Sequence, residues 1–313
     1  MMDMIRKKLR GISVMVVLTI MIPCFFTFIF AGVTEENYKG EPAYGIDKSG
    51  QTIIVKNGLK RQKLDLEMFI PCVLMSVADI ETEEEVLKAL AVLIRTEIKY
   101  KIRDLRSVEA DSLNMSYVTY QAMEEKWQEN FGEYYNYLMK IVNHTAHQVV
   151  KYEGNLIMPY YHQMSAGYTR EGAYNYLISA KSEGDLQNEK YITETFFSNE
   201  DFVSRAESLS KDMELSVNAP IVTLQILEKD SAGYVLSLQL DGVEVSGEAF
   251  AKAFNLKSTN FNVETFNNNI KITVKGDGHG YGVSISGAEV YAAAGWTYVQ
   301  ILTHYYPEDI SLE

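Results

Sequence analysis

The feature that most constrains this chain is an uncharged apolar stretch near its amino terminus. The stretch runs from Gly11 to Gly32 and follows a basic cluster made of Arg6, Lys7, Lys8 and Arg10. As a helix that rises about 1.5 Å per residue, it would span about 33 Å, the thickness of the hydrocarbon core of a bilayer. Because the basic cluster lies on the amino-terminal side, the positive-inside rule predicts a cytoplasmic tail at 1–10, a membrane anchor at 11–32 and an extracytoplasmic remainder.

A cleaved signal peptide is the alternative interpretation of this stretch. The stretch is longer than the usual apolar region of about 7–15 residues in a signal peptide, and no A-x-A cleavage site accompanies it. These two observations favour an uncleaved anchor in the cell membrane. Residues 33–51 are polar and interrupted by Gly and Pro, which is typical of a linker. The folded extracytoplasmic domain is therefore predicted at 52–313.

Composition excludes several classes of protein. The 313 residues carry a net charge of −13, which has the wrong sign for binding nucleic acid, and 47% of them are hydrophobic, which is ordinary for a packed domain. The two cysteines, Cys24 and Cys72, lie in unlike surroundings, the first in the apolar stretch and the second in a predicted strand. They predict neither a disulfide framework nor a zinc knuckle.

Periodicity predicts a mixed α+β fold. Residues 52–55 and 68–76 are predicted as strands, whereas 82–103 has the apolar spacing of a helix, with Thr82 and Glu85 as a capping box. Part of 115–150 is predicted as helix, and the E-G-N sequence that follows predicts a hairpin turn. The carboxy half alternates short β-rich segments with one last helix near 286–304. Without a repeating βαβ order, this pattern favours a β-rich α+β domain with a few packed helices.

Histidines offer the first candidate site. His144 and His147 have i, i+3 spacing, but no third ligand or H-E-x-x-H pattern accompanies them, so a metal is not expected there. His279 lies in G-D-G-H-G-Y-G, where glycines allow close approach of a ligand to the backbone or simply a tight turn. His162 lies in YYHQMSAGYTREG, again beside small residues. Either histidine is a candidate ligand-binding residue or a satisfied core residue.

Four blocks of the chain together resemble the stage II sporulation protein D family. In order they are LEMFIPCVLMSVADI with EEEVLKALAVLIRTEI, then YEGNLIMPYYHQMSAGYT, then VSGEAFAKAFNLKSTNF, then GHGYGVSISGAEVYAAAGWTYVQILTHYYP. The resemblance covers about residues 52–307. It implies a membrane-anchored, extracytoplasmic lytic transglycosylase that acts on peptidoglycan during sporulation and engulfment.

The first block departs from the family pattern at its most important position. The family reads roughly L-E-x-Y-V-x-G-V-V-A-x-E-M-P, and an ungapped match places Val77 where the family has its catalytic glutamate. Glu67 matches the glutamate of L-E, and Arg95 with Thr96 matches a later R-T. Lytic transglycosylation needs a carboxylic acid that protonates the glycosidic oxygen and a base that accepts the proton of the attacking hydroxyl. Valine supplies neither group, so the resemblance implies impaired catalysis.

The other blocks keep more of the family pattern. The resemblance implies a glycan-binding cleft, and the residues assigned to it are His162, Ser165, Gly167, Thr169, His279, Gly280, Tyr281 and Ser284. Asp79 or Glu81 remains open as a relocated acid if the loop before residue 82 is reshaped, although both also suit the start of a helix. Asp277 is a weaker alternative that suits a local turn. Some family members hold zinc with cysteines near the middle-block histidine. Because this chain has none there, no metal and no other cofactor are expected.

Three hypotheses about function remain. The first is a membrane-anchored member of the family that binds or organises peptidoglycan without cleaving it and supports a partner amidase or other engulfment membrane proteins. The second is an active lytic transglycosylase with Asp79 or Glu81 as its acid. The third is a purely structural envelope protein, which would bind no glycan.

Overall fold

The computed structural model describes residues 35–36, 47–57 and 60–313 of the chain. The predicted tail and anchor, at 1–32, lie outside these residues, as does most of the predicted linker. Within the described residues, no helix combines the length and the apolar character needed to cross a bilayer.

The fold is mixed α+β, built from several small sheets and two separate hydrophobic cores. The first sheet has the strand order β1 (Glu35–Glu36), β3 (Lys60–Asp65), β2 (Thr52–Asn57) and β4 (Ser107–Glu109). Strands β2 and β3 pair in antiparallel fashion, so that Ile53 faces Leu64 across the ladder. Residues 52–55, predicted as a strand, are the first part of β2.

Two central helices follow this sheet and contribute most of the first core. Helix α1 spans Leu66–Val77 and begins at Asp65, whose carboxylate accepts a hydrogen bond from the Glu67 backbone N–H at 3.0 Å. The prediction of a strand at 68–76 is therefore wrong. Helix α2 spans Glu84–Ile102 and is buried along most of its length. The predicted helix is confirmed there, but the predicted cap is not, because the Thr82 hydroxyl accepts from the Asp79 N–H two residues before the helix begins.

The remainder of the first core comes from the middle and the end of the chain. Its elements are α3 (Tyr120–Trp127), α4 (Phe131–His144), β5 (Val150–Tyr152), β6 (Asn155–Leu156), β7 (Tyr161–His162), β14 (Val283–Ser284), α7 (Ile285–Ala293), α8 (Tyr298–Tyr305) and β15 (Ile310–Leu312). Strands β5 and β6 form the predicted hairpin through Glu153 and Gly154, both with positive φ. The single helix predicted at 286–304 is two helices, because the chain turns at Gly295 and α8 restarts with a capping box from Thr297 to Gln300.

The second core lies between these segments in sequence. It is formed by β8 (Ile192–Phe197), α5 (Asn199–Glu207), β9 (Gln225–Lys229), β10 (Val235–Leu240), β11 (Val243–Ser246), α6 (Gly247–Ala253), β12 (Phe261–Phe266) and β13 (Asn269–Lys275). The strands make two antiparallel sheets, β11-β10-β9 and β12-β13-β8. Their buried faces meet around phenylalanine rings, with Phe250 and Phe254 only 4.4 Å apart between centroids. The second core is therefore an insertion within the first.

Candidate functional site

A short parallel pairing brings the middle and last sequence blocks together. Strand β7 pairs with β14 so that His162 stands opposite Ser284, 122 positions further along the chain. A separate antiparallel bridge lies beside this pairing, in which the Met164 N–H donates to the Asp277 carbonyl at 2.9 Å and the Asp277 N–H donates to the Met164 carbonyl at 2.8 Å. The residues predicted to form one cleft therefore do lie in one place, at the boundary between the two cores.

Three of the predicted cleft hydroxyls are wholly buried and serve internal partners. The Ser165 and Ser284 hydroxyls donate to the Asp185 carboxylate, at 2.6 Å and at 2.8–2.9 Å, and the Ser165 N–H donates to it at 2.9 Å. Burial raises the pKa of Asp185, although these hydrogen bonds oppose the rise. The Thr169 hydroxyl donates to the Ile178 carbonyl and accepts from the Ala180 N–H. These side chains brace the loops around the site, and their predicted contact with glycan stays a prediction.

The two site histidines are neighbours but differ in surroundings. Their ring centroids are 5.5 Å apart. His162 is 5% exposed, and its Nδ1 lies 3.1 Å from the Tyr281 carbonyl, which requires a proton on Nδ1. Its Nε2 is buried, with no hydrogen-bond partner among the described residues. Burial, followed by the influence of His279, lowers the pKa of His162 to about 3. The ring is therefore neutral at physiological pH.

His279 reaches solvent at the rim of the same cluster. Its Nδ1 accepts a hydrogen bond from the Tyr281 N–H at 3.0 Å, and the rings of Tyr160 and Tyr281 pack beside it. Loss of water around the ring, followed by the nearby charge of Arg170, lowers the pKa of His279. Among the residues assigned to the cleft, His279 and Tyr281 are the side chains placed to meet a ligand.

The glycines of the last block are required by close packing. Gly280 has φ +83°, and a Cβ there would lie 2.6 Å from the Tyr234 ring. Gly282 has φ +67°, and a Cβ there would collide with the Tyr160 carbonyl. Gly167, in the middle block, also has positive φ, and its carbonyl accepts from the Ser182 N–H at 2.9 Å. The glycine-rich turn thus holds His279 against the second core, and these glycines contribute backbone shape.

Arg170 connects this turn to the second core, a role that sequence reasoning missed. Its guanidinium pairs with Asp230, donates to the His279 carbonyl at 3.2 Å and lies 4.8 Å and 4.6 Å from the ring centroids of Tyr234 and Tyr281. The arginine is 4% exposed. The signal available in the sequence was its place in Y-T-R-E-G, directly after the middle block.

Val77, the residue that the ungapped match aligns with the family's acid, is the last residue of α1. The Gln163 side chain donates to the Val77 carbonyl at 2.5 Å, and the Gln163 carbonyl accepts from the Ser286 N–H at 2.9 Å. Val77 is partly buried against the first core. Gln163 thus connects the backbone of Val77 with the start of α7, whereas the Val77 side chain is apolar.

The alternative acids predicted from the sequence all lie near this region. Asp79 has a side chain 76% exposed and lies 3.4 Å from Lys126 Nζ. Glu81 is exposed and borders a groove of about 450 Å³ between the loop before α2 and helix α7. Asp277 pairs with Lys257 at 3.0 Å. Sequence reasoning missed a fourth carboxylate, Glu289 on α7, which lines the same groove.

Metal ligands do not gather at the predicted histidine pair. His147 lies 2.7 Å from Asp47, and the ring of His144 packs edge-on against Tyr298. In the part of the chain that the structure describes, no three His, Cys, Asp or Glu side chains lie together as a metal site would require. The expectation that the protein needs no metal or cofactor stays a prediction.

The fold and the site define a class of α+β protein in which separated segments of the chain meet around a buried, neutral histidine. The family model described as "Stage II sporulation protein" matches residues 56–152. The chain is 25% identical over 259 residues to stage II sporulation protein D of Bacillus amyloliquefaciens, which covers 78% of this chain and 73% of that protein. It is 24% identical over 260 residues to stage II sporulation protein D of Bacillus subtilis (strain 168), with 78% and 74% covered.

An uncharacterised protein of Brachyspira hyodysenteriae is also similar, at 24% identity over 295 residues, or 88% of this chain and 75% of that one. The matching family model and the two named Bacillus relatives support membership of the stage II sporulation protein D family, and with it a sporulation-related protein.

Proposed function

We propose that this protein binds the glycan strands of peptidoglycan outside the cell membrane, held there by an anchor at 11–32, and that it is impaired in cleaving them. The observation that carries the proposal is Val77. It occupies the family's acid position at the end of α1, while the blocks around it keep their contacts through Gln163 and Ser286. A site that keeps these contacts but lacks an acidic side chain is expected to bind glycan strands without cleaving them rapidly.

Cleavage of a glycan strand requires a proton donor at residue 77 or close to it. Protonation of a glycosidic oxygen requires a carboxylic acid near it, and one carboxyl group of raised pKa can act as acid and then as base. A valine side chain has no proton to give. His162 does not replace it, because its ring is neutral, its Nδ1 proton is held by the Tyr281 carbonyl and its Nε2 is buried. Neither Val77 nor His162 can therefore protonate the glycosidic oxygen.

The acidic composition of the chain limits how it can recognise a glycan strand. The net charge of −13 gives no attraction to anionic polymers, so recognition of glycan has to come from hydrogen bonds and ring stacking. Tyr281 and Tyr160 beside His279 offer ring faces for a sugar. Support of a partner amidase or of other engulfment membrane proteins is part of the same proposal.

A second candidate function is strand cleavage with a relocated acid. The sequence offered Asp79 and Glu81, and the structure places Glu81 on the wall of the groove next to α7. Asp79 is mostly exposed beside Lys126. For this candidate, Asp79→Asn or Glu81→Gln should abolish release of anhydro sugars while binding persists. Unchanged release in both variants would exclude these two residues.

The experiment uses the full chain in detergent and denuded glycan strands. Co-sedimentation measures binding, and mass spectrometry counts 1,6-anhydro-muramic ends. We expect the wild type to co-sediment with the strands. We expect Val77→Glu to release at least tenfold more ends than the wild type, because general acid catalysis contributes about 10²–10⁴ in rate.

Val77→Gln is the matched control, since it has nearly the shape of the glutamate but no acidic proton. It should leave release at the wild-type level. Absence of glycan binding by the wild type would overturn the proposal. Equal gains in the glutamate and glutamine variants would show that Val77 does not mark the acid position.

A further inference from the structure

A groove that Ser286 lines contains a carboxylate that the sequence analysis did not single out. The groove has a volume of about 450 Å³ and lies between the loop before α2 and helix α7. Glu81 and Glu83 line one wall, Gln187 and Asn188 line another, and Glu289 lies on α7. The groove is open and polar, as suits a sugar chain with many hydroxyls.

Glu289 is the groove carboxylate on helix α7. It is partly buried, and the influences on its carboxyl group are burial and the charges of Glu83 and Asp79, with no hydrogen bond and no cation among them. By contrast, the buried Glu97 carboxylate is held by Lys101 at 2.6 Å and by Tyr161 at 3.3 Å. A carboxyl group that is withdrawn from water and free of an internal cation is available to a ligand.

The surroundings of Glu289 favour its protonated form. Burial raises the pKa of this carboxyl, and the negative charges of Glu83 and Asp79 raise it further. No cation opposes these effects among the described groups that act on it. A raised pKa is what a glutamate requires in order to donate a proton near neutral pH.

Two hydrogen bonds connect the helix that carries this carboxyl with residue 77. Glu289 follows Ser286 by three residues on α7, so the two lie on the same helix face about one turn apart. Ser286 donates its N–H to the Gln163 carbonyl, and the Gln163 side chain donates to the Val77 carbonyl. The electrostatic influence of Asp79 on Glu289 shows the same proximity from the other side.

We propose that Glu289 is the residue that donates a proton to the glycosidic oxygen of a glycan strand bound in this groove, in place of an acid at position 77. This inference rests on the proposed binding of glycan strands. Asn188 and Gln187 line the groove beside it, and the Asn188 amide already reaches across to the Ser286 hydroxyl at 2.9 Å. Amides at this place suit hydrogen bonds to sugar hydroxyl and acetamido groups.

The reaction is balanced without any further reactant. The Glu289 carboxyl proton passes to the oxygen that joins C1 of one sugar to C4 of the next, and the C1–O bond breaks. The C6 hydroxyl oxygen of the first sugar forms a bond to C1, which closes a 1,6-anhydro ring. The hydroxyl proton returns to the Glu289 carboxylate. No water is consumed and no electron is transferred.

The test compares the full-chain wild type with Glu289→Gln on denuded glycan strands, again by co-sedimentation and by counting anhydro ends. We expect the wild type to release ends slowly, as an impaired enzyme would, and Glu289→Gln to release at least a hundredfold fewer, with binding unchanged within twofold. Glu228→Gln is the matched control, because Glu228 is an exposed glutamate on β9 of the second core. It should match the wild type in both measurements.

The outcomes separate this inference from the proposed function. Strands that bind but yield no ends with the wild type, or equal yields with Glu289→Gln, overturn the role of Glu289 and leave glycan binding standing. Strands that fail to bind overturn both.

If Glu289→Gln unfolds at a much lower temperature than the wild type, its loss of activity is uninformative. The release of anhydro ends by the wild type is then measured as a function of pH. Release that requires a protonated Glu289 falls as pH rises through the raised pKa, with a midpoint above the ordinary 4.5. A profile that is flat there overturns the inference. Glu289→Asp, which keeps the acid on a shorter side chain, should retain part of the release.

Discussion

The first core buries charged side chains among its apolar ones, whereas the second core buries aromatic rings. In the first core, Arg95 is 0% exposed and Glu67 1% exposed, and the guanidinium meets the carboxylate at 2.8–3.0 Å. In the second core, Phe254 packs on Phe202 and Phe250 at centroid distances of 4.8 and 4.4 Å. The family model matches 56–152, within the first core.

The two cores differ in how narrowly they fix the arrangement of the elements around them. A buried ion pair has one geometry, because each remaining donor also needs a partner, and Arg95 supplies further bonds to the carbonyls of Val142 and Gln148 at 3.2 Å. Aromatic packing accepts several similar arrangements at small cost. The first core therefore fixes the relative positions of α1, α2 and the end of α4, and with them the position of residue 77.

Substitution of the buried arginine should have the largest effect. Arg95→Met leaves the Glu67 carboxylate buried without its cation, and we expect a loss of about 3–5 kcal/mol in the free energy of unfolding. The midpoint of urea denaturation measures it. Arg205→Met is the control, because the Arg205 side chain on α5 is 39% exposed, and its pair with Asp201, its bond to the Ala253 carbonyl and its contact with the Phe197 ring leave no buried carboxylate behind, so its loss should stay near about 1 kcal/mol. Equal losses would contradict the contrast between the cores.

Acid should destabilise the region around the first core. The folded chain holds His162 neutral with a pKa of about 3, whereas the unfolded chain takes up a proton near the ordinary 6.5. As pH falls from 6.5 towards 3, the unfolded state binds a proton that the folded state does not. The free energy of unfolding therefore drops by about 1.4 kcal/mol per pH unit. Denaturation at pH 7 and pH 5 measures the slope, and His162→Asn should remove this contribution.

A volume change in the second core should cost less. Phe254→Leu removes one ring from the aromatic cluster but keeps an apolar side chain, and we expect a loss of about 1–1.5 kcal/mol. Thermal unfolding monitored by circular dichroism measures it, and glycan binding should be unaffected because the side chain is far from solvent. A loss as large as that of Arg95→Met would show that the second core also depends on one geometry.

The smallest change in the free energy of unfolding is expected for the exposed ion pair just after α1. Lys126→Gln removes the partner of Asp79 at 3.4 Å, where both side chains are more than 60% exposed. The free energy of unfolding should change by less than about 0.5 kcal/mol. A larger loss in urea denaturation would show that this pair anchors the loop before α2.

Parts of this architecture were readable from the sequence. Helix α2 was predicted because its apolar residues recur at helical spacing, and the β5–β6 hairpin because Gly154 suits positive φ. Helix α1 was mistaken for a strand, because it is buried nearly all round and so shows no amphipathic period, and because Pro71 inside it is usually a helix breaker. The Asp65 cap directly before Leu66 was the signal that would have corrected it.

The candidate site was predicted in outline only. The meeting of His162 with the last block followed from the family pattern, and β7 and β14 bring them side by side. Asp185 and Glu289 were not found. Burial and charge at these positions depend on which distant segments pack around them, and neither lies in a motif that local spacing reveals. The hydroxyls of Ser165 and Ser284 likewise gave no sign that they face a buried carboxylate rather than solvent.

The pairing of β7 with β14 and of β5 with β15 also sets an order of assembly. Synthesis delivers residues 192–275 before 283–312, so the contiguous second core has all its strands while the first still lacks two helices and two strands. Until the last segment arrives, the apolar faces of α2 that α7 and α8 cover stay open to proteases and to other chains. A nascent chain stalled near residue 280 would thus carry a folded insertion within an unfinished host, and the site would form only with the final thirty residues.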